Sequence, residues 1–139
     1  MRLLALTVLL AGCATSGTAT DPVDLDGTEA LLDYLADQGF IVEPAGLTTS
    51  TIPLVTAATY RVTGDASPAV LEVFEFETEA AAADGLTRLR AEIRPRVSQE
   101  VFTRGVLVVY TRAATSRTTR NARLRRALAD ALGPPRGGA

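Results

Sequence analysis

The fold of this chain is constrained most by one stretch, residues 69–77, which reads Ala-Val-Leu-Glu-Val-Phe-Glu-Phe-Glu. It is rich in strand-forming residues, and the side chains of a strand point alternately to its two sides. The apolar residues of this stretch fall on both sides of the alternation: Val70, Leu71, Val73, Phe74 and Phe76. A strand at the edge of a sheet would not need two apolar sides, so we expect residues 69–77 to form the central strand.

The other segments predict what surrounds this strand. The spacing of apolar residues predicts helices over residues 28–38, 78–94 and 118–132. Strand-forming residues between turn signals predict strands at residues 40–42, 57–63, 99–103 and 106–111, and the polar residues 44–53 predict a loop. The order α-β-β-β-α-β-β-α indicates an α+β domain of two layers, a mainly antiparallel sheet of about five strands with three packed helices.

Single residues add local expectations. Thr28 is expected to cap the first helix with its hydroxyl. Gly39 is expected to end that helix in a Schellman motif, which would bring Phe40 onto Leu35. Gly85 lies inside the second helix, where glycine costs about 1 kcal/mol relative to alanine, and we interpret it as a site of close approach between helix and sheet.

The N-terminal residues have the organisation of a secretory signal. Arg2 precedes an almost wholly apolar run, residues 3–11, which is far shorter than the ~20 residues that span a bilayer. The next feature is the sequence Leu10-Ala11-Gly12-Cys13, which resembles the lipobox of bacterial lipoproteins. That resemblance implies that residues 1–12 are removed and that Cys13 is acylated. An alternative is a plain secreted protein in which Cys13 is incidental.

Domain boundaries follow from this N-terminus. Cys13 and the polar residues after it predict a lipidated, flexible tether over residues 13–26. Residues 27–133 are expected to form a single domain, and residues 134–139 a disordered tail. Two or three acyl chains on Cys13 would hold this domain at a membrane surface.

The domain also resembles a scattered group of small bacterial lipoproteins of unassigned function. The resemblance rests on the strand at residues 71–76, the alanine-rich helix after it and the strand at residues 106–110, and it covers roughly residues 28–133. These are core patterns, and the resemblance brings no catalytic residues with it.

The composition excludes several kinds of catalytic and metal site. The chain has no histidine, lysine or tryptophan, and Cys13 is its single cysteine. Without these side chains a Ser-His-Asp triad, a Ser-Lys dyad and the usual zinc or copper sites lose essential groups. We therefore expect no metal and no cofactor, and any catalysis would depend on carboxylates, hydroxyls or arginine.

Charge is distributed unevenly along the chain. Residues 21–84 contain thirteen acidic residues and one arginine, whereas residues 85–139 contain twelve arginines and three acidic residues. We interpret this as complementarity between two halves that face each other in the fold. The alternative is an open anion-binding surface on the last helix, whose candidate residues are Arg117, Arg120, Arg123 and Arg126.

Two groups of carboxylates could instead carry chemistry. Glu75 and Glu77 would share a strand face about 7 Å apart, a separation found in inverting glycosidases, and Glu72 lies on the same strand. Glu29, Asp33 and Asp37 recur every four residues along the first helix. A solvated or arginine-paired face explains either group more simply than a hydrolase or a calcium site.

These observations favour a lipid-anchored protein on the extracytoplasmic side of a membrane, facing the periplasm or the cell surface. We expect it to act as a binding or interaction module, with the membrane and an envelope protein as partners, and not as an enzyme. One alternative is binding of anionic lipid or cell-wall polymer through the arginine-rich last helix, and another is a carboxylate-based hydrolase. Nucleic acid is not an expected partner outside the cytoplasm.

Overall fold

The structure is a computed structural model that describes residues 25–47, 52–53, 56–92, 99–113 and 121–136. Within these ranges the elements follow the predicted order, and the α+β class is confirmed. They are α1 (Thr28–Asp37), β1 (Ile41–Leu47), β2 (Thr56–Thr63), β3 (Ala69–Glu75), α2 (Glu79–Glu92), β4 (Glu100–Arg104), β5 (Leu107–Ala113) and α3 (Ala122–Leu132).

The five strands form one antiparallel sheet in the order β1-β2-β3-β5-β4. Strand β3 is central, as the stretch at residues 69–77 predicts, because β2 pairs along one side of it and β5 along the other. It ends at Glu75, two residues earlier than predicted. Phe76 lies just past this end, where its N–H donates to the Val106 carbonyl at 3.0 Å.

The helices cover both faces of the sheet, so the domain has three layers and the prediction of two layers is wrong in this respect. Helices α1 and α3 pack on the face that carries Leu71 and Val73. Helix α2 packs on the opposite face, against Phe74 and Val108. The physical reason is that β3 carries apolar side chains on both of its faces, so both faces must be shielded from water.

Strand β1 is longer than predicted. Residues 44–47, expected to be part of a loop, continue the pairing with β2 after a register shift between Pro44 and Gly46. A proline is tolerated there because β1 is an edge strand, and the extra residue makes a β-bulge. The remaining predicted loop residues are described only at Ile52 and Pro53.

The end of α1 has the predicted Schellman geometry. Gly39 has φ of 83°, its N–H donates to the Ala36 carbonyl at 2.8 Å, and the Phe40 N–H donates to the Leu35 carbonyl at 3.0 Å. Phe40 and Leu35 belong to the same buried cluster. The positive φ explains why glycine occupies this position.

The start of α3 and the residues that follow its end both differ from prediction. The helix begins at Ala122, four residues later than predicted, because Asn121 is its N-cap and has a non-helical backbone. Asp65 accepts a hydrogen bond from the Leu124 N–H at 2.8 Å and so satisfies the first turn. The expected tail is wrong for Arg136, whose N–H donates to the Val101 carbonyl at 2.8 Å. Residues 137–139 lie outside the described ranges.

Gly85 is the predicted point of close approach, and it gives a testable prediction. A Cβ atom at Gly85 would lie 2.2 Å from Cε1 and Cζ of Phe76, whose ring is buried. Alanine would gain about 1 kcal/mol of helix propensity, but overpacking a buried ring costs about 1–3 kcal/mol. We therefore expect Gly85→Ala to lower the free energy of unfolding, measured by urea titration.

The matched control is Ala83→Gly, at an exposed position of the same helix. It should lose about 1 kcal/mol through propensity alone. A Gly85→Ala variant more stable than the wild type would contradict the packing argument.

Candidate functional site

The residue with the clearest predicted role, Cys13, lies outside the described residues, as do residues 1–24. Its lipidation therefore stays a prediction. Among the described residues, no helix is both long enough and apolar enough to cross a bilayer.

An acidic groove lies beside the first turns of α1, where that helix meets β2 and the end of β3. It encloses about 670 Å³ and is open to solvent. The described residues that line it include four carboxylates and no arginine, and its remaining lining is made by small, hydroxyl and apolar side chains. They are Asp26, Gly27, Thr28, Glu29, Ala30, Leu32, Asp33, Thr56, Tyr60 and Glu75.

Glu75 caps α1 from the end of the central strand. One of its oxygens, Oε2, accepts hydrogen bonds from the Thr28 backbone N–H at 2.7 Å and from the Thr28 hydroxyl at 2.6 Å. Thr28 is thus the first residue of the helix, and the prediction that it is the N-cap is wrong. Gly27 occupies the cap position without a side-chain bond, so a remote carboxylate supplies the acceptor.

This arrangement separates the carboxylates that suggested a hydrolase. Glu75 and Glu77 do not share a strand face, because β3 ends at Glu75 and Glu77 is exposed beyond it. Glu72 forms an ion pair with Arg112 at 3.2 Å on the face covered by α2. The pair expected from a continued strand is therefore absent, since one member caps a helix and the other lies outside the sheet.

The acidic stripe on α1 faces outward. Glu29, Asp33 and Asp37 are all exposed. Over the described residues, no group of three or more acidic or cysteine side chains has the geometry to hold a metal ion. Glu29 and Asp33 contribute to the rim of the acidic groove, whereas Asp37 does not line it.

Arg123 joins three parts of the fold. Its Nη1 donates to the Gly64 carbonyl at 2.8 Å, its Nη2 donates to the Gln38 carbonyl, and its guanidinium lies 4.7 Å from the centre of the Phe40 ring. The carbonyl end of a helix is a favourable position for a cation, and the aromatic face adds to the attraction. Two of the donors that could have bound an external anion are thus used within the fold, one at the end of α1 and the other at the turn after β2.

The other candidate anion-binding residues are only partly described. Arg117 and Arg120 lie outside the described residues. Arg126 is exposed and has no hydrogen bond or ion pair with the described part of the chain. Its neighbour Arg125 donates from Nε to Glu100 at 2.7 Å. The described end of α3 therefore offers one free guanidinium to solvent.

Among the described residues, one ion pair shows complementarity between the two charged halves. The Glu72–Arg112 pair joins them, whereas the Arg125–Glu100 pair lies within the second half. Helices α1 and α3 are neighbours on one face of the sheet. Burial, and then the charge of Asp130, raise the pKa of Tyr34, which indicates that an acid of α3 lies close to α1.

Tyr110 has an unusual environment on the face covered by α2. Its hydroxyl is buried and has no hydrogen-bond partner among the described residues, and its ring contacts Phe74 edge-on at 6.1 Å between centroids. Burial raises the pKa of Tyr110 most strongly, with Arg90 lowering it and Glu72 raising it. Tyr110 belongs to the buried cluster of this face.

The sequence did not predict the roles of two acidic residues, each of which accepts a hydrogen bond from the first turn of a helix. Glu75 caps α1, and Asp65 accepts from the first turn of α3 while also accepting from the Ala66 N–H at 2.7 Å. The second had a local signal, because Asp65 lies in a Gly-Asp-Ala-Ser-Pro turn whose residues commonly bond to nearby backbone. The first had none, because 47 positions separate Glu75 from Thr28.

Comparisons with protein families, with characterised proteins and with solved structures found no match to this chain.

Proposed function

We propose that this protein is a lipid-anchored extracytoplasmic domain that acts as a binding or envelope-associated module and not as an enzyme. The observation that carries the proposal is the sequence Leu10-Ala11-Gly12-Cys13 after a short apolar run. Its resemblance to a lipobox implies acylation of Cys13, and more than one acyl chain would give stable membrane attachment.

Three charged side chains are bonded within the domain, and this supports a binding function over a catalytic one. Glu75 caps a helix, Glu72 is paired with Arg112, and Arg123 is bonded to backbone carbonyls. A catalytic acid or base needs a carboxylate free to reach a substrate in a suitable cleft. These three groups serve the stability of the domain.

Replacing Cys13 tests the proposal. The wild-type chain should fractionate with membranes, and mass spectrometry should find an acylated N-terminal cysteine. Cys13→Ser should remove the acyl mass and either release the protein from the membrane or stall its precursor. Ser16→Ala, a change of similar size three residues later, should leave both the acyl mass and the fractionation unchanged.

A wild-type protein that carries a free Cys13 thiol and fractionates with soluble proteins would contradict the anchor. It would favour the plain secreted protein that the signal alone also allows.

A second candidate function is binding of anionic lipid or cell-wall polymer through α3. The exposed guanidinium of Arg126, which has no partner in the described part of the chain, favours it. Arginine suits phosphate and carboxylate groups, and such contacts weaken as salt rises.

Vesicle sedimentation of the unlipidated Cys13→Ser chain tests this candidate. Under it, the chain should bind anionic vesicles more than zwitterionic ones, and Arg126→Glu should remove the difference at low salt. Arg123 should be left intact, because changing it would also disturb α1. Equal binding to both vesicles would leave the anchor proposal standing and exclude the anionic surface.

A further inference from the structure

The two edges of the sheet are protected in different ways. Edge strand β1 contains Pro44 and a bulge, both of which hinder pairing with another strand. Edge strand β4 has neither, and its five residues pair with β5 in unbroken register. A regular edge of this kind is a template for strand addition unless something covers it.

The hairpin between β4 and β5 determines which backbone groups of β4 point outward. Arg104 pairs with Leu107 across a two-residue turn in which Gly105 has φ of 54°. The residues that close such a turn bond to each other, and the direction of bonding alternates along the strand. The N–H and carbonyl groups of Val101 and Thr103 therefore point away from β5.

A segment that follows α3 covers one of these groups. The Arg136 N–H donates to the Val101 carbonyl at 2.8 Å, and the Arg136 carbonyl accepts a hydrogen bond from Arg90 Nη2 of α2 at 2.9 Å. We call residues 133–136 the C-terminal strap. It is bonded at one point of the edge, and Thr103 has no bond to it.

We propose that the outer edge of β4 is a self-association surface, on which the β4 strand of a second copy of this chain pairs antiparallel when the C-terminal strap is displaced. This inference does not depend on the lipid anchor. The strap acts as a cover for the edge, and Arg90 holds the strap in position.

Charge and register favour a second copy as the occupant. An antiparallel pairing centred on Phe102 sets Val101 of one copy opposite Thr103 of the other, so the outward groups of both strands meet. The same register sets Glu100 opposite Arg104 at each end of the pair, where Glu100 also accepts from Arg125 and Arg104 donates from Nη1 to the Ala131 carbonyl at 2.7 Å. Opposite charges at directly facing positions favour this register over a shifted one.

Self-association is measured by light scattering of the full chain in detergent over a range of concentrations. The variant that tests the strap is a chain that ends at Gly133. We expect it to associate at least about tenfold more tightly than the wild type. A chain that ends at Arg136 keeps the strap and is the matched control, which should behave like the wild type.

Two substitutions make the result specific to this edge. Arg90→Ala in the full chain should shift association in the same direction, whereas the exposed neighbour Arg88→Ala should not. Adding Thr103→Pro to the chain that ends at Gly133 should restore the monomer, because it removes an outward N–H without breaking a bond to β5.

Two further outcomes would overturn the proposal. A chain that ends at Gly133 and stays monomeric would show that strap removal opens no such surface, and if it instead bound an unrelated extended Thr-Val peptide, the edge would belong to foreign strands. Association that survives Thr103→Pro would belong to another surface. If the shortened chain loses its circular dichroism signal, Arg90→Ala alone decides, since it leaves every strap residue in place.

Discussion

Replacing Phe74 by alanine is expected to lower the free energy of unfolding by about 3–5 kcal/mol, the range for a buried phenylalanine truncated in a core. Phe74 is 1% exposed and lies on the central strand beneath α2. The variant would lose the transfer free energy of the ring and leave a cavity. It would also lose the edge-on contact with Tyr110.

Urea titration monitored by circular dichroism measures this loss. Leu47→Ala is the matched control, because Leu47 is also a strand residue but is 89% exposed. It should change the free energy of unfolding by no more than about 0.5 kcal/mol. A Phe74→Ala variant within 1 kcal/mol of the wild type, on the order of a surface change, would remove α2 and this face of the sheet from the core.

Replacing Glu75 by alanine is expected to cost about 2–3 kcal/mol, more than most partly exposed carboxylates would. The carboxylate accepts two hydrogen bonds from Thr28, and bonds to charged groups contribute about 1.5–3 kcal/mol. It also places a negative charge at the N-terminus of α1, where the helix dipole favours one. Without it, the first turn of α1 loses the only side-chain cap that the described residues give it.

Glu77→Ala is the control for Glu75→Ala. Glu77 is two residues away, exposed and without a partner in the described part of the chain, so its loss should change stability by no more than about 0.5 kcal/mol. Hydrogen exchange adds a local measurement, because the amides of the first turn of α1 should exchange faster in Glu75→Ala than in Glu77→Ala. Equal exchange in the two variants would show that Glu75 does not cap the helix.

The elements that could be predicted from sequence are those whose cause is local. Residues 69–77 are strand-forming by their composition, and Gly39 is a residue that readily adopts the positive φ seen there. Glycine inside a helix, as at Gly85, is unfavourable and so indicates close packing. The number of layers could not be predicted in the same way. Both faces of β3 are apolar and must be buried by helices. The apolar spacing of a helix does not indicate on which face of the sheet that helix will pack.

The candidate site was harder to predict because its contacts are long-range. Glu75 meets Thr28 across 47 positions and Arg123 meets Gln38 across 85. Composition could identify both residues as charged, but a charged residue can face solvent, pair with an opposite charge or cap a helix. Arg123 illustrates the difference, since the sequence favoured an acid or an external anion as its partner and the fold supplies backbone carbonyls.

The bond between Glu75 and Thr28 has a mechanical consequence. Residues 25–27 lead into α1 at Thr28, so tension applied to Leu25 from its N-terminal side would load this bond at the start of the helix. Because Glu75 ends the central strand, the force would pass into β3, where hydrogen bonds to β2 on one side and to β5 on the other share it. Unfolding the domain by such a pull would require the hydrogen bonds of both ladders to be sheared together. A helix without the bonds to Glu75 would instead unwind from its first turn.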